Sequence, residues 1–145
     1  MRTALLLSMI LISPLKVQGT AIDYDYDLSM HGESFLMTQD TYCMALNIYH
    51  ESRSENLAGK FAVADVVMNR VNNRNYPDSV CGVIYDAELK PSWKDPTKEV
   101  PVRNRCQFSW YCDGKSDDPI EEDAWNESIL VAHQSIYEGR MLGLT

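Results

Sequence analysis

The chain has 145 residues, 45% of them hydrophobic and 23% charged, with a formal net charge of -8. That balance belongs to a globular protein with one core and excludes a disordered or fibrous chain. The acidic excess leaves no basic stripe to neutralise phosphates, so nucleic acid is excluded as a partner and a neutral or mixed-charge substrate is expected.

The chain opens with a basic residue (Arg2), an apolar run from Ala4 to Ile12, a breaker (Pro14) and a small-residue end at Val17 and Gly19. That order of parts predicts a secretory signal peptide over residues 1–19. The run is far shorter than the roughly 20 residues of a membrane span, so no stable span is expected. Loss of Arg2 and Lys16 with the leader moves the net charge from -8 to -10. Cys43, Cys81, Cys106 and Cys112 all lie in the exported part, an even count that suggests up to two disulfides with three pairings open. Their spacing lacks the short ligand pairs of a zinc site, and no metal is expected.

Residues 20–37 are acidic and without sustained period, which predicts a loosely held arm ahead of a domain over 38–145. A first helix should start at Thr38 or Asp40 and turn Tyr42, Leu46 and Tyr49 to the core. In a second helix Leu57, Phe61, Ala64, Met68 and Val71 share one face, and Asn72 to Pro77 stop it. Ser79 to Tyr85 is a short apolar piece of open type. Lys90 to Asn104, with Pro91, Pro96 and Pro101, reads as loop. Cys106 to Cys112 reads as an extended or hairpin-like element, a short helix being the alternative. The acidic loop Asp113 to Asp118 lacks the ligand order of a calcium loop. Asp118-Pro119 should start a last helix, with Trp125, Ile129, Ala132 and Ile136 on one face and Gly139 past its end. The class is therefore mainly α (α+β), in a single domain.

The chemistry concentrates at the corner His50-Glu51-Ser52-Arg53-Ser54-Glu55 between the first two helices. A zinc protease would need a second histidine four residues after His50, where Ser54 stands. A structural reading pairs Glu51 with Arg53 and makes Glu55 the third residue of a capping box begun by Ser52, with Ser54 or Asn56 as other caps. The functional reading takes Glu51 as a carboxyl at a helix end, beside Tyr49 and partly desolvated, holding a proton to donate to a glycosidic oxygen.

Ile48 to Glu55, Ala58 to Ala64, Val67 to Val71, Tyr76-Pro77, Val80 to Tyr85 and Cys106-Gln107-Phe108-Ser109-Trp110 together resemble the SleB-type cell wall hydrolases, the family of spore cortex-lytic enzymes and related bacterial and phage proteins. The resemblance covers Thr41 to about Gly139. It implies a compact lysozyme-like domain acting on peptidoglycan in the periplasm, cell wall or extracellular space, without a cofactor. It also implies that Glu51, the first glutamate of E-S-R-S-E, is the catalytic acid, and that Glu55 supports it. Gln107, Phe108, Ser109 and Trp110 fall where the family carries its Q-F-S pattern and should line a sugar groove with Tyr49. Ser52 and Ser54 depart from the family's usual alanine and glycine. Relatives continue past the last helix with a Gly-Ala segment, so a C-terminally shortened domain is expected.

No second acid has a position that demands the role of nucleophile or base, which ordinary glycosidases fill with a carboxylate roughly 5 to 9.5 Å from the first. A single-carboxylate route avoids that need. The 6-hydroxyl of N-acetylmuramic acid attacks its own anomeric carbon and leaves a 1,6-anhydro end, the lytic transglycosylase reaction that the resemblance implies for several relatives. Hydrolysis, with Glu55 or Asp113 as base, is the alternative. A third reading is a glycan-binding module without catalysis, with Tyr49, Trp110, Tyr111 and Trp125 as stacking surfaces.

Overall fold

The structure, a computed structural model, describes residues 37–138. The expected signal peptide, residues 20–36 of the arm, and Gly139 lie outside that range. Helix α1 runs Gln39–Ser52, α2 Leu57–Val71, α3 Val80–Ile84 and α4 Glu122–Tyr137. Between α3 and α4 lie an antiparallel pair, β1 (Ala87–Pro91) and β2 (Glu99–Cys106), and a 3-10 turn over Ser109–Cys112. Mainly helical with one small sheet, the domain has the expected α+β class.

Helix α1 forms the middle of the core. Thr38 caps it by accepting the Thr41 amide, and Cys43 through Tyr49 are buried without interruption. A helix buried on every side needs neighbours on every side: α2, α3 and α4 all pack on it. The predicted face of α2 is displaced at its start. Leu57 is 51% exposed, whereas Phe61, Ala64 and Val67 are buried. On α4, Trp125, Ile129 and Ala132 are buried as expected. Met37, assigned to the arm, is instead a core residue.

The disulfides join Cys43 to Cys81 and Cys106 to Cys112. The first staples α1 to α3. The second explains why Cys106 to Cys112 is not a strand: seven extended residues would span about 20 Å, but the two Cα atoms stand 6.3 Å apart.

The extended element lies upstream, in the stretch assigned to loop. Leu89 pairs with Pro101, Lys90 with Val100 and Pro91 with Glu99. Both strands of a two-stranded sheet are edges, so prolines without an N–H are tolerated there. The start of α4 also differs. Tyr49 Oη accepts the amides of Ile120 and Glu121, both at 3.1 Å, which keeps Pro119 and Ile120 out of the helix and delays its first residue to Glu122.

Candidate active site

Helix α1 ends by presenting three successive side chains in different directions. Successive helical residues turn about 100°, and Tyr49, His50 and Glu51 divide accordingly. The Tyr49 ring is 1% exposed, and its hydroxyl holds the approach to α4. His50 Nε2–H donates to the Asp117 carbonyl at 3.0 Å, and its ring stacks on Trp110 with centroids 4.7 Å apart. Trp110 Nε1–H donates in turn to the buried Asn47 Oδ1 at 2.9 Å.

Glu51 turns outward. It is exposed, so the free protein does not supply the desolvated setting expected for it. It lines a cavity of about 490 Å³ between the end of α1 and the segment from Ser109 to Ile120. Arg53, the expected structural partner of Glu51, pairs with Glu121 at 3.1 Å. Glu51 makes no ion pair among the described residues. It also sits at the negative end of α1, where a carboxylate costs stability by about 0.3–1 kcal/mol. Neither pairing nor helix stability accounts for its presence.

The corner behind Glu51 is built differently from the capping-box expectation. Ser52 stays in α1, and its Oγ donates to the Ile48 carbonyl at 2.8 Å. Asn56 caps α2 instead, accepting the Gly59 amide at 3.0 Å. Glu55 therefore precedes the cap and lies across Gly59, where an added Cβ would come within 2.9 Å of its own Cβ. Its place at the positive end of α2 suits a supporting role. It does not line the cavity.

Lys60 was not singled out in the sequence. Its side chain is 3% exposed, and Nζ donates to the carbonyls of Arg53 at 3.2 Å and Glu55 at 2.9 Å and to Glu127 Oε2 at 2.8 Å. One ammonium thus ties the α1–α2 corner to α4. A lysine in a mostly apolar helix is the only sequence signal for it.

Of the expected groove residues, Ser109 and Trp110 reach the Glu51 cavity. Tyr49 lines it too, but the Tyr49 and Trp110 rings are both buried, and His50 covers one face of Trp110, so neither presents a free stacking face. Phe108 is buried, with the Arg70 guanidinium 5.2 Å from its ring centre. Gln107 lies in a separate hollow with Asp86 and Arg105. The sequence reading also missed Asp117, a half-buried carboxyl in the Glu51 cavity. Burial is the chief cause that holds its pKa above the ordinary aspartate value, against the lowering influence of His50. Asp113 shares the cavity, but the Lys115 amide that it accepts at 2.8 Å holds its pKa low, which makes it a poor base.

A compact helical domain with a glutamate at a helix end, making no ion pair among the described residues and facing a polar cleft that Trp110 borders, has the form of a candidate active site. Over residues 54–142 the chain matches the cell wall hydrolase family, and it belongs to that family. The matched stretch contains Glu55 and begins three residues after Glu51. Among curated proteins, it is 45% identical over 47 residues to spore cortex-lytic enzymes of Halalkalibacterium halodurans and Bacillus cereus. That segment is 32% of this chain and 14% and 18% of those proteins. The spore cortex-lytic enzyme of Bacillus subtilis is 40% identical over 47 residues, 32% of this chain and 15% of its own length. The chain thus matches less than a fifth of the length of these relatives. No solved structure matches it.

Proposed function

We propose that the domain cleaves the glycan strand of peptidoglycan between N-acetylmuramic acid and N-acetylglucosamine, as a lytic transglycosylase with Glu51 as its acid and base. The observation that carries this reading is Glu51 itself: exposed, without an ion pair among the described residues, at the unfavourable end of its helix, and opening on a cavity of about 490 Å³. In the reaction Glu51 protonates the leaving glycosidic oxygen as the bond to the anomeric carbon breaks. As carboxylate it then takes the proton of the 6-hydroxyl, whose oxygen bonds to that carbon and closes the 1,6-anhydro ring. No metal or organic cofactor enters either step. The substrate is met outside the cell, in keeping with residues 1–19 as an export leader ahead of an arm and a domain over 38–145.

One observation favours hydrolysis as the second reading. Asp117 is a second carboxyl in the same cavity, and two carboxyls flanking a glycosidic bond are what a water-dependent route requires. The domain, freed of its leader, is incubated with purified peptidoglycan beside Glu51→Gln, and the sugar ends are identified by mass spectrometry. Anhydro ends from wild type alone support transglycosylation, and reducing ends from wild type alone assign hydrolysis. Equal products from both proteins would remove Glu51 from the mechanism. Binding without products from either would leave a binding module. Since Glu51 contributes nothing to the fold, Glu51→Gln should melt no lower than wild type.

A further inference from the structure

We propose that Arg103, with Lys115 beside it, forms a subsite for a carboxylate of the peptide borne by the muramic acid of the glycan. The inference rests on the glycan-cleaving reading above and extends it to the part of the substrate that is charged.

A second cavity, of about 320 Å³, adjoins the first and is lined by Pro101, Arg103, Tyr111, Gly114, Asp113 and Lys115. Asp113 and Lys115 line both cavities, so the two form one continuous surface. Their charges are opposite. Around Glu51, four carboxylates (Glu51, Asp113, Asp117 and Asp118) face two cations (Arg53 and Lys115). In the second cavity Asp113 is matched by Lys115 at 3.5 Å, leaving the Arg103 guanidinium as the surplus charge. Its neighbour Arg105 is taken by Glu88 at 3.3 Å, whereas Arg103 makes no ion pair among the described residues. On a chain of net charge -8, an unmatched arginine beside the candidate cleft is a local reversal of sign.

The backbone places it there. Ala87 pairs with Cys106 and Leu89 with Pro101, so Glu88 alone faces the four residues Val102 to Arg105. Such a bulge re-aims side chains away from the ladder. Asn104 within it has φ 59°, the left-handed region that asparagine tolerates better than most residues. The Cys106–Cys112 disulfide ties the foot of the bulge to the 3-10 turn that carries Tyr111. The cavity is thus lined by Cys112 of that disulfide, by the aromatic Tyr111 and by Arg103 from the bulge.

A glycan of N-acetylated sugars is neutral, and the carboxylates of peptidoglycan lie on the peptide that extends from the lactyl group of muramic acid. A strand seated at Glu51 carries that peptide along the same surface. The acidic first cavity repels its carboxylates, and the second offers a guanidinium suited to bidentate carboxylate binding. Phosphate on another wall polymer shares this chemistry, but the 1,6-anhydro ring needs a free 6-hydroxyl, so the muramic acid being cut bears the peptide on its lactyl group and no polymer on its 6-oxygen.

The test is an NMR titration of the domain with a muramyl dipeptide bearing free carboxylates, with the same compound amidated, and with glycerol phosphate. The acid form should bind about tenfold more tightly than the amide, with shifts at Arg103, Tyr111 and Lys115. Arg103→Gln should abolish that preference, and Lys115→Gln should reduce it. Arg103 is exposed on the hairpin, and the thermal melt of each variant confirms its fold. Equal affinity for acid and amide, no binding of the acid form, a preference that survives Arg103→Gln, or glycerol phosphate binding as tightly as the acid would each overturn the proposal. Binding is read without cleavage, so its failure is separable from failure of the glycosidic reaction.

Discussion

Lys60→Met removes the ammonium but keeps an unbranched stem of similar length. The wild-type side chain is 3% exposed and makes three hydrogen bonds, two to backbone carbonyls of the corner and one to Glu127. Breaking a fully buried charged pair costs about 3–5 kcal/mol. Here Glu127 is 45% exposed, and Arg53 and Glu55 also lie at the surface, so water recovers part of each lost bond. A loss of about 2–4 kcal/mol is expected, or roughly 8–16 °C in Tm for a domain near 100 residues. Glu127→Gln keeps an oxygen acceptor and both carbonyl bonds, and should cost less than about 1 kcal/mol. Urea unfolding of the two variants beside wild type measures the difference. A Glu127→Gln loss equal to that of Lys60→Met would show that the ion pair, and not the carbonyl clamp, holds the corner. A neutral Lys60→Met would refute the clamp altogether.

The disulfides close loops of different length, 38 and 6 residues in sequence separation. On loop entropy the Cys43→Ala, Cys81→Ala pair should lose about 4 kcal/mol and the Cys106→Ala, Cys112→Ala pair about 2. Calorimetry showing the reverse order would contradict that account. Burial raises the folded pKa of Asp117 above its unfolded value, so the folded state holds the proton more tightly and loses stability as pH rises through that interval. Asp117→Asn should therefore match wild type at pH below about 3.5 and be the more stable of the two at pH 7. Thermal melts with the same difference at both pH values would rule out that desolvation penalty.

The long helices were legible because their signals are local. Thr38 capping α1, the apolar steps along α4 and the breakers after Val71 act within a few residues of the structure they specify. The hairpin was hidden because prolines read as loop when strand pairing is not known, and only pairing shows both strands to be edges. The start of α4 was misplaced because the deciding group, the Tyr49 hydroxyl, is about 70 residues away in sequence. The site shows the same division. Glu51 was legible through its motif, and Trp110 through its resemblance to the family's pattern. Asp117 was one acid among several in a polar loop, and only the fold brings it to the Glu51 cavity.

His50 links the two halves of that cavity. Its donor bond reaches the loop that carries Asp117, and its ring covers the Trp110 face, so neither the loop wall nor the aromatic wall is fixed independently of α1. The two contacts can be separated chemically. His50→Phe keeps a ring to stack on Trp110 and loses the bond to the Asp117 carbonyl, whereas His50→Gln keeps an N–H donor and loses the stack. If His50 acts by positioning the loop, His50→Phe should impair glycan cleavage more than His50→Gln, and hydrogen exchange should rise over residues 113–118 only in the phenylalanine variant. If the aromatic wall is the essential feature, the order of activity reverses and exchange in the loop does not change. Equal activity in both variants and wild type would mean that the loop and Trp110 hold their places without His50, Trp110 through its bond to the buried Asn47.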